Sequence, residues 1–143
     1  MNEELRNIIK QLRNIDQEKR CEWLISTYPP DNENYYFAFQ IIPHFSWSKK
    51  DRAILMQNYL KKLSFASEKP YLIFLKIMPL NEFLTLLKAI LLKSETKDLD
   101  LLKYHLNREF TYNENIKNNE QNKQLSDNFI LFLNEYCKIN KIK

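Results

Sequence analysis

The stretch KPYLIFLKIMPLNEFLTLLKAILLK, residues 69–93, is crowded with large apolar side chains, and where they go decides the fold. A membrane span needs about 20 consecutive, predominantly apolar residues. Lys76, Pro79, Asn81, Glu82 and Lys88 interrupt this one, so the destination expected is the protein's own core and not lipid. Pro79 has no amide hydrogen and drives Met78 out of helical geometry. The segment therefore divides into two helices, near 70–78 and 82–93, with Asn81 expected to cap the second. In that second helix Phe83, Leu84, Leu87, Ile90 and Leu91 recur at helical spacing, and Leu86 and Leu92 widen the apolar stripe almost all round. A helix this apolar belongs at the centre of a fold.

Working outward, the same periodicity returns. Leu5, Ile8, Ile9, Leu12 and Ile15 mark a first amphipathic helix, and Cys21, Leu24, Ile25 and Tyr28 a second that Pro29 and Pro30 stop. The run SWSKKD offers Ser48 as a cap for a helix carrying Leu55, Met56, Tyr59, Leu60 and Leu63. Leu99, Leu102 and Leu106 form another helix, and Phe129, Phe132, Leu133 and Tyr136 the last. Between these two, NENIKNNEQNKQ (residues 113–124) has one apolar side chain in twelve and reads as a polar, mobile loop. Residues 41–56 echo 77–92 at an offset of 36, a period typical of stacked helical hairpins. The expected fold is all-α: a single domain over residues 1–143 with about seven short helices, as a bundle or a short HEAT-like array of helical hairpins.

Composition narrows the chemistry. The 143 residues include no Gly and no Val but 21 Leu and 17 Lys, a balance that favours helix over strand. Without Gly, phosphate-cradling loops, dinucleotide-binding turns and the nucleophile elbow are all out of reach. Helix ends are then expected to fall to Asn, present 16 times and the residue next most tolerant of left-handed backbone. Cys21 and Cys137 are too few for a disulfide framework, and the charged start MNEELRNIIKQLRN is unlike a signal peptide, so a reduced, cytoplasmic setting is expected. The net charge of +4 is spread thinly, with no long basic run.

No arrangement of reactive residues stands out. His44 and His105 lie 61 positions apart and neither has a second metal-type ligand one helical turn away, so a zinc set with Cys21 and Cys137 is not expected, nor a Cys–His nucleophile pair. His105 reads as a boundary residue with its hydrogen bonds satisfied. No catalytic residue and no cofactor is expected. The stretch YPPDNENYYFAFQIIPHFSW (residues 28–47) is different: seven of its twenty side chains are aromatic, and no Lys or Arg occurs between Arg20 and Lys49. Phe37, Phe39, Ile41, Ile42 and Phe45 are expected in the core. Asp31, Glu33, Tyr35, Tyr36 and Trp47 are the candidate partner-binding residues, because rigid aromatic anchors ringed by carboxylates suit a basic protein surface.

The run FASEKPYLIFLKIMPLNEFLTLLKAIL (residues 65–91), with the preceding WSKKDRAILMQNYLKKL, resembles small helical immunity proteins of bacterial toxin systems, including contact-dependent growth inhibition. The resemblance covers about a third of the chain and rests on apolar pattern and aromatic placement. It implies a non-enzymatic cytoplasmic protein that binds and occludes a cognate toxin, such as a basic nuclease domain. Two other readings stay open: a small helical regulator that binds nucleic acid, whose usual footprint of clustered Lys and Arg is missing, and a structural subunit of a larger assembly.

Overall fold

The computed structural model describes residues 2–62, 65, 67–93 and 98–142, with side chains for the same residues except 62 and 140–142. These residues form nine α-helices and no strand: α1 (Glu3–Arg13), α2 (Gln17–Thr27), α3 (Tyr36–Ile41), α4 (Lys49–Tyr59), α5 (Lys69–Ile77), α6 (Leu80–Lys93), α7 (Leu99–Tyr112), α8 (Glu114–Lys117) and α9 (Glu120–Ile142). Two 3₁₀ turns, Ile42–His44 and Leu60–Lys62, follow α3 and α4. The all-α expectation holds. The helices gather into two compact units, Met1–Tyr59 and Leu60–Lys143.

Polar side chains and prolines set the helix ends. Asn2 accepts a hydrogen bond from the Leu5 amide at 2.7 Å to open α1, and the Ser48 hydroxyl accepts from the Asp51 amide at 3.1 Å to open α4. Asn14 and Asn118 close α1 and α8, but with φ of −90° and −95°, not in the left-handed region expected of Asn. Among the described residues the one positive φ belongs to Asp98 (53°), which opens α7 by accepting from the Leu101 amide at 3.0 Å. Met78 is extended before Pro79, as the pre-proline clash requires. Asn81 does not cap α6. The Pro79 carbonyl takes the Phe83 amide at 3.0 Å, which leaves Asn81 inside the first turn with its own carbonyl accepting from the Thr85 hydroxyl at 2.8 Å. Proline fits that boundary because its missing amide hydrogen would be unpaired there anyway.

In the first unit, Leu5, Ile9 and Leu12 of α1, Cys21 and Leu24 of α2, Phe39 and Ile41 of α3, and Leu55, Met56 and Tyr59 of α4 are all buried, and α2 packs on α4. Two polar groups tie this core together. The Tyr59 hydroxyl lies 2.8 Å from the Tyr28 carbonyl, at the end of α2, and 3.2 Å from the Leu24 carbonyl, which also takes the Tyr28 amide at 2.9 Å. Arg20, 7% exposed, donates through Nε to the Leu12 carbonyl and through Nη2 to the Ile15 carbonyl, at the negative end of α1. Its guanidinium lies 4.3 Å from the centre of the Phe45 ring, so a buried cation is covered on its remaining face.

In the second unit, Phe83, Leu84, Leu87, Ile90 and Leu91 of α6 are all buried, and α6 packs on α5 and α9. Each such side chain contributes about 1.5–3 kcal/mol by leaving water. The Tyr136 hydroxyl of α9 donates to the Leu91 carbonyl, in the last turn of α6, at 2.8 Å. The polar stretch expected as a loop over 113–124 is helical instead. Asn113 caps α8, Asn119 caps α9, and Ile116, the one apolar residue there, is 2% exposed. The Asn residues that lower helix propensity inside a helix start helices at its ends, and one buried anchor suffices to hold α8. The 36-residue echo does not extend to local structure: residues 80–84 lie inside α6, whereas their equivalents 44–48 precede α4. Leu63, expected on the α4 helix, lies outside the described residues.

Two predictions concern stability. Replacing Tyr59 by Phe strands the Tyr28 carbonyl, while the Leu24 carbonyl keeps the Tyr28 amide, and should cost about 1–2 kcal/mol in a urea titration; an unchanged midpoint would show the hydroxyl to be idle. Burial, then Asp51 and Glu22, pushes the Cys21 thiol up to about 11, burial pushes the Tyr71 hydroxyl up to about 12, and burial raises Tyr59 as well. Acids with raised folded values contribute stability below their unfolded values and lose it as pH rises through the folded ones. The urea midpoint should therefore decline between about pH 9 and pH 12, and a flat profile there would contradict the burial of these groups.

Candidate interaction surface

The turn that precedes α3 is built by its asparagines. The Asn32 amide donates to the Pro29 carbonyl at 2.9 Å, Asn32 Oδ1 accepts from the Asn34 amide at 2.8 Å, and the Asn32 carbonyl accepts from the Tyr35 amide at 3.1 Å. This folding leaves Asp31 and Glu33 exposed and brings them within a few residues of Tyr36, which is 48% exposed. Tyr35 is half-buried, its ring edge-on to Phe39 at 6.0 Å. The Tyr36 ring lies against Phe37 at 4.6 Å, and Phe37 lies against Tyr28, so the exposed ring is rooted in the buried aromatic cluster.

Trp47 does not join them. It is 7% exposed, donates from Nε1 to the Ile42 carbonyl at 2.9 Å and packs edge-on against Phe45. Its indole closes the 3₁₀ turn, which uses the one polar atom that would make it an interfacial anchor. Four of the five candidate residues thus cluster at the surface and the fifth is core. The expected core residues Phe39, Ile41 and Ile42 are buried, with Phe37 and Phe45 half-buried.

Reactive side chains are dispersed. Among the described residues no group of three or more His, Cys, Asp or Glu is placed to hold a metal ion. Cys21 and Cys137 are buried and free of disulfides, and the Cys21 thiol, raised to about 11, is protonated at neutral pH. A recess of about 650 Å³ between the starts of α6 and α9 is lined by Asn81, Glu120, Gln121, Asn122, Gln124 and Leu125, a set without thiol, hydroxyl or imidazole. No helix among the described residues is long and apolar enough to cross a membrane.

One constellation escapes the sequence reading. His105, expected at a boundary with satisfied hydrogen bonds, is 7% exposed on α7, and neither ring nitrogen has a hydrogen-bond partner among the described residues. Its ring sits 6.3 Å from Tyr71 and 5.6 Å from Tyr104. One turn on, Glu109 is buried; burial first and the charge of Glu68 second raise its carboxyl above the ordinary range, with Asn113, Arg108 and Lys76 opposing. On the outer side of the same helix, Arg108 lies 3.5 Å from a Glu68 oxygen and within 6.0 and 5.7 Å of the Tyr104 and Tyr112 ring centres. Tyr104, Arg108 and Tyr112 are spaced by one helical turn each, a pattern visible in the sequence once α7 is read for its outer face and not only for its leucines.

With this geometry in hand, the chain matches no protein-family model, no curated protein and no solved structure.

Because Glu109 carries a raised carboxyl, its ionised form opposes folding at neutral pH, and the sign of a neutral replacement follows. Glu109→Gln keeps an amide oxygen for Asn113 and should raise the melting temperature at pH 7 while leaving it nearly unchanged at pH 3.5. A lower melting temperature at pH 7 would mean that the ionised carboxylate is held by its neighbours.

Proposed function

We propose that the chain is a non-enzymatic protein-binding module and, at a finer level, a cytoplasmic immunity protein that occludes a cognate toxin domain with a basic, nuclease-type surface. The observation that carries this reading is the surface of residues 31–36: Asp31, Glu33 and Tyr36 are exposed together, with Tyr35 beside them, in a stretch with no Lys or Arg between Arg20 and Lys49. A rooted aromatic ring next to carboxylates provides rigid contact area at low entropic cost and attracts cationic partners from a distance. Trp47 has no part in the contact, since its ring and indole nitrogen are used internally. Occlusion needs no bond-making group on this chain.

The test is binding to the protein encoded immediately upstream of this chain's gene, measured by biolayer interferometry at two salt concentrations. Asp31→Lys with Glu33→Lys should slow association about tenfold at low salt, and Tyr36→Ala should speed dissociation. Association and affinity unaltered by all three substitutions would remove residues 31–36 from the interface.

A further inference from the structure

The surface of residues 31–36 continues onto α2 and α1. Trp23 of α2, half-buried, stands edge-on to Tyr28 with ring centres 6.1 Å apart; Tyr28 lies 5.8 Å from Phe37, and Phe37 lies 4.6 Å from Tyr36. These rings form one row, half-buried at Trp23 and Phe37 and open to solvent at Tyr36. A carboxylate from α1 borders it, since burial first and the charge of Glu4 second push the Tyr28 hydroxyl up. Glu4, Ile8 and Gln11 recur at helical spacing on this flank of α1, whereas Arg6, Lys10 and Arg13 recur on the opposite flank. Beside the row α2 ends with no basic residue in its last turn, so the partial negative charge of its final carbonyls is not offset by a cation of its own. Lys19 is the cation of α2 on the Trp23 flank, and it stands one turn further from residues 31–36.

We infer that this row receives an arginine side chain of the protein partner, its guanidinium laid on the rings of Trp23, Phe37 and Tyr36 with the carboxylates of Glu4, Asp31 and Glu33 around it. The inference rests on the reading of residues 31–36 as the partner surface; it adds Glu4 and Trp23 to that surface and names the group they take. Charge and ring chemistry select this occupant together. Carboxylates contributed by α1 and by the turn before α3 repel a phosphate-bearing strand or an acidic protein, and a purely apolar segment would bury them without partners. Between the two basic side chains, the row favours arginine. A guanidinium is planar and weakly hydrated, so it stacks on a ring face while its edge N–H groups still reach carboxylates. The ammonium of lysine is a compact, strongly hydrated charge that cannot make both contacts at once.

Titration of the full chain with a blocked hexaarginine peptide at about 20 mM salt tests the inference. Binding should shift the tryptophan emission through Trp23, because Trp47 is buried with its indole nitrogen bonded internally, and Trp23→Phe should remove the shift. Affinity measured by calorimetry should fall about threefold in Glu4→Gln, at an exposed position, and about tenfold in Trp23→Ala. Hexalysine should bind about threefold more weakly than hexaarginine, or worse. Equal affinity for the two peptides overturns the inference, as does hexaarginine binding that ignores both Glu4→Gln and Trp23→Ala. The protein encoded immediately upstream separates that failure from failure of the proposed function. If its binding needs Asp31 and Glu33 but neither Glu4 nor Trp23, the proposed function stands and the arginine site falls. If hexaarginine behaves as expected and the upstream protein ignores all four positions, the arginine site stands and the toxin reading falls.

Discussion

The apolar stripe of α6 has to be covered, and residues 60–143 are arranged to cover it. Six of the apolar side chains of α6 are buried, and α5 and α9 supply the packing surfaces. The break at Met78 and Pro79 turns the chain between α5 and α6 so that one apolar run becomes two packed helices. Tyr136 reaches from α9 to the Leu91 carbonyl and Lys88 lies 4.7 Å from the Phe132 ring, so the ends and flanks of the contact are closed by polar groups.

Strong periodicity made most of this legible before any coordinates. The helices carrying Leu5 to Leu12, Leu55 to Tyr59 and Phe83 to Leu91 are amphipathic at a period that only a helix matches, and proline marked the stops after α2 and α5. What composition obscured was the polar segment at 113–124. Low apolar content points to mobility, yet asparagines placed at helix starts are capping groups, and Ile116 supplies the one buried contact α8 needs. Asparagine was expected to take left-handed backbone in place of glycine. Asn14 and Asn118 instead close their helices at negative φ, where a Cβ meets no clash, and among the described residues the left-handed position is taken by Asp98, at a helix start.

The candidate surface was partly legible for a different reason. Asp31, Glu33 and Tyr36 lie close in sequence, so a short turn suffices to gather them. Tryptophan is common at interfaces, which points Trp47 outward, but its indole shares the Ile42 carbonyl with the Phe45 amide of the 3₁₀ turn and is buried there. Such a bond depends on which carbonyl a turn places within reach, and periodicity holds no record of that. The cluster around His105 and Glu109 was hidden likewise: burying two ionisable groups on the inner face of α7 contradicts the expectation that such groups face water.

The buried helix faces hold each unit together, and exposed aromatic and charged groups stand on the outer faces. That division rests on α6 being inaccessible to solvent in the native state. Amide hydrogen exchange followed by mass spectrometry measures it directly. Peptides covering residues 80–93 should exchange more slowly than any others from 60–143, at the rate set by unfolding of that unit. Exchange of those peptides as fast as those from the exposed end of α9 would show the stripe to be uncovered, and the account of the fold would fail with it.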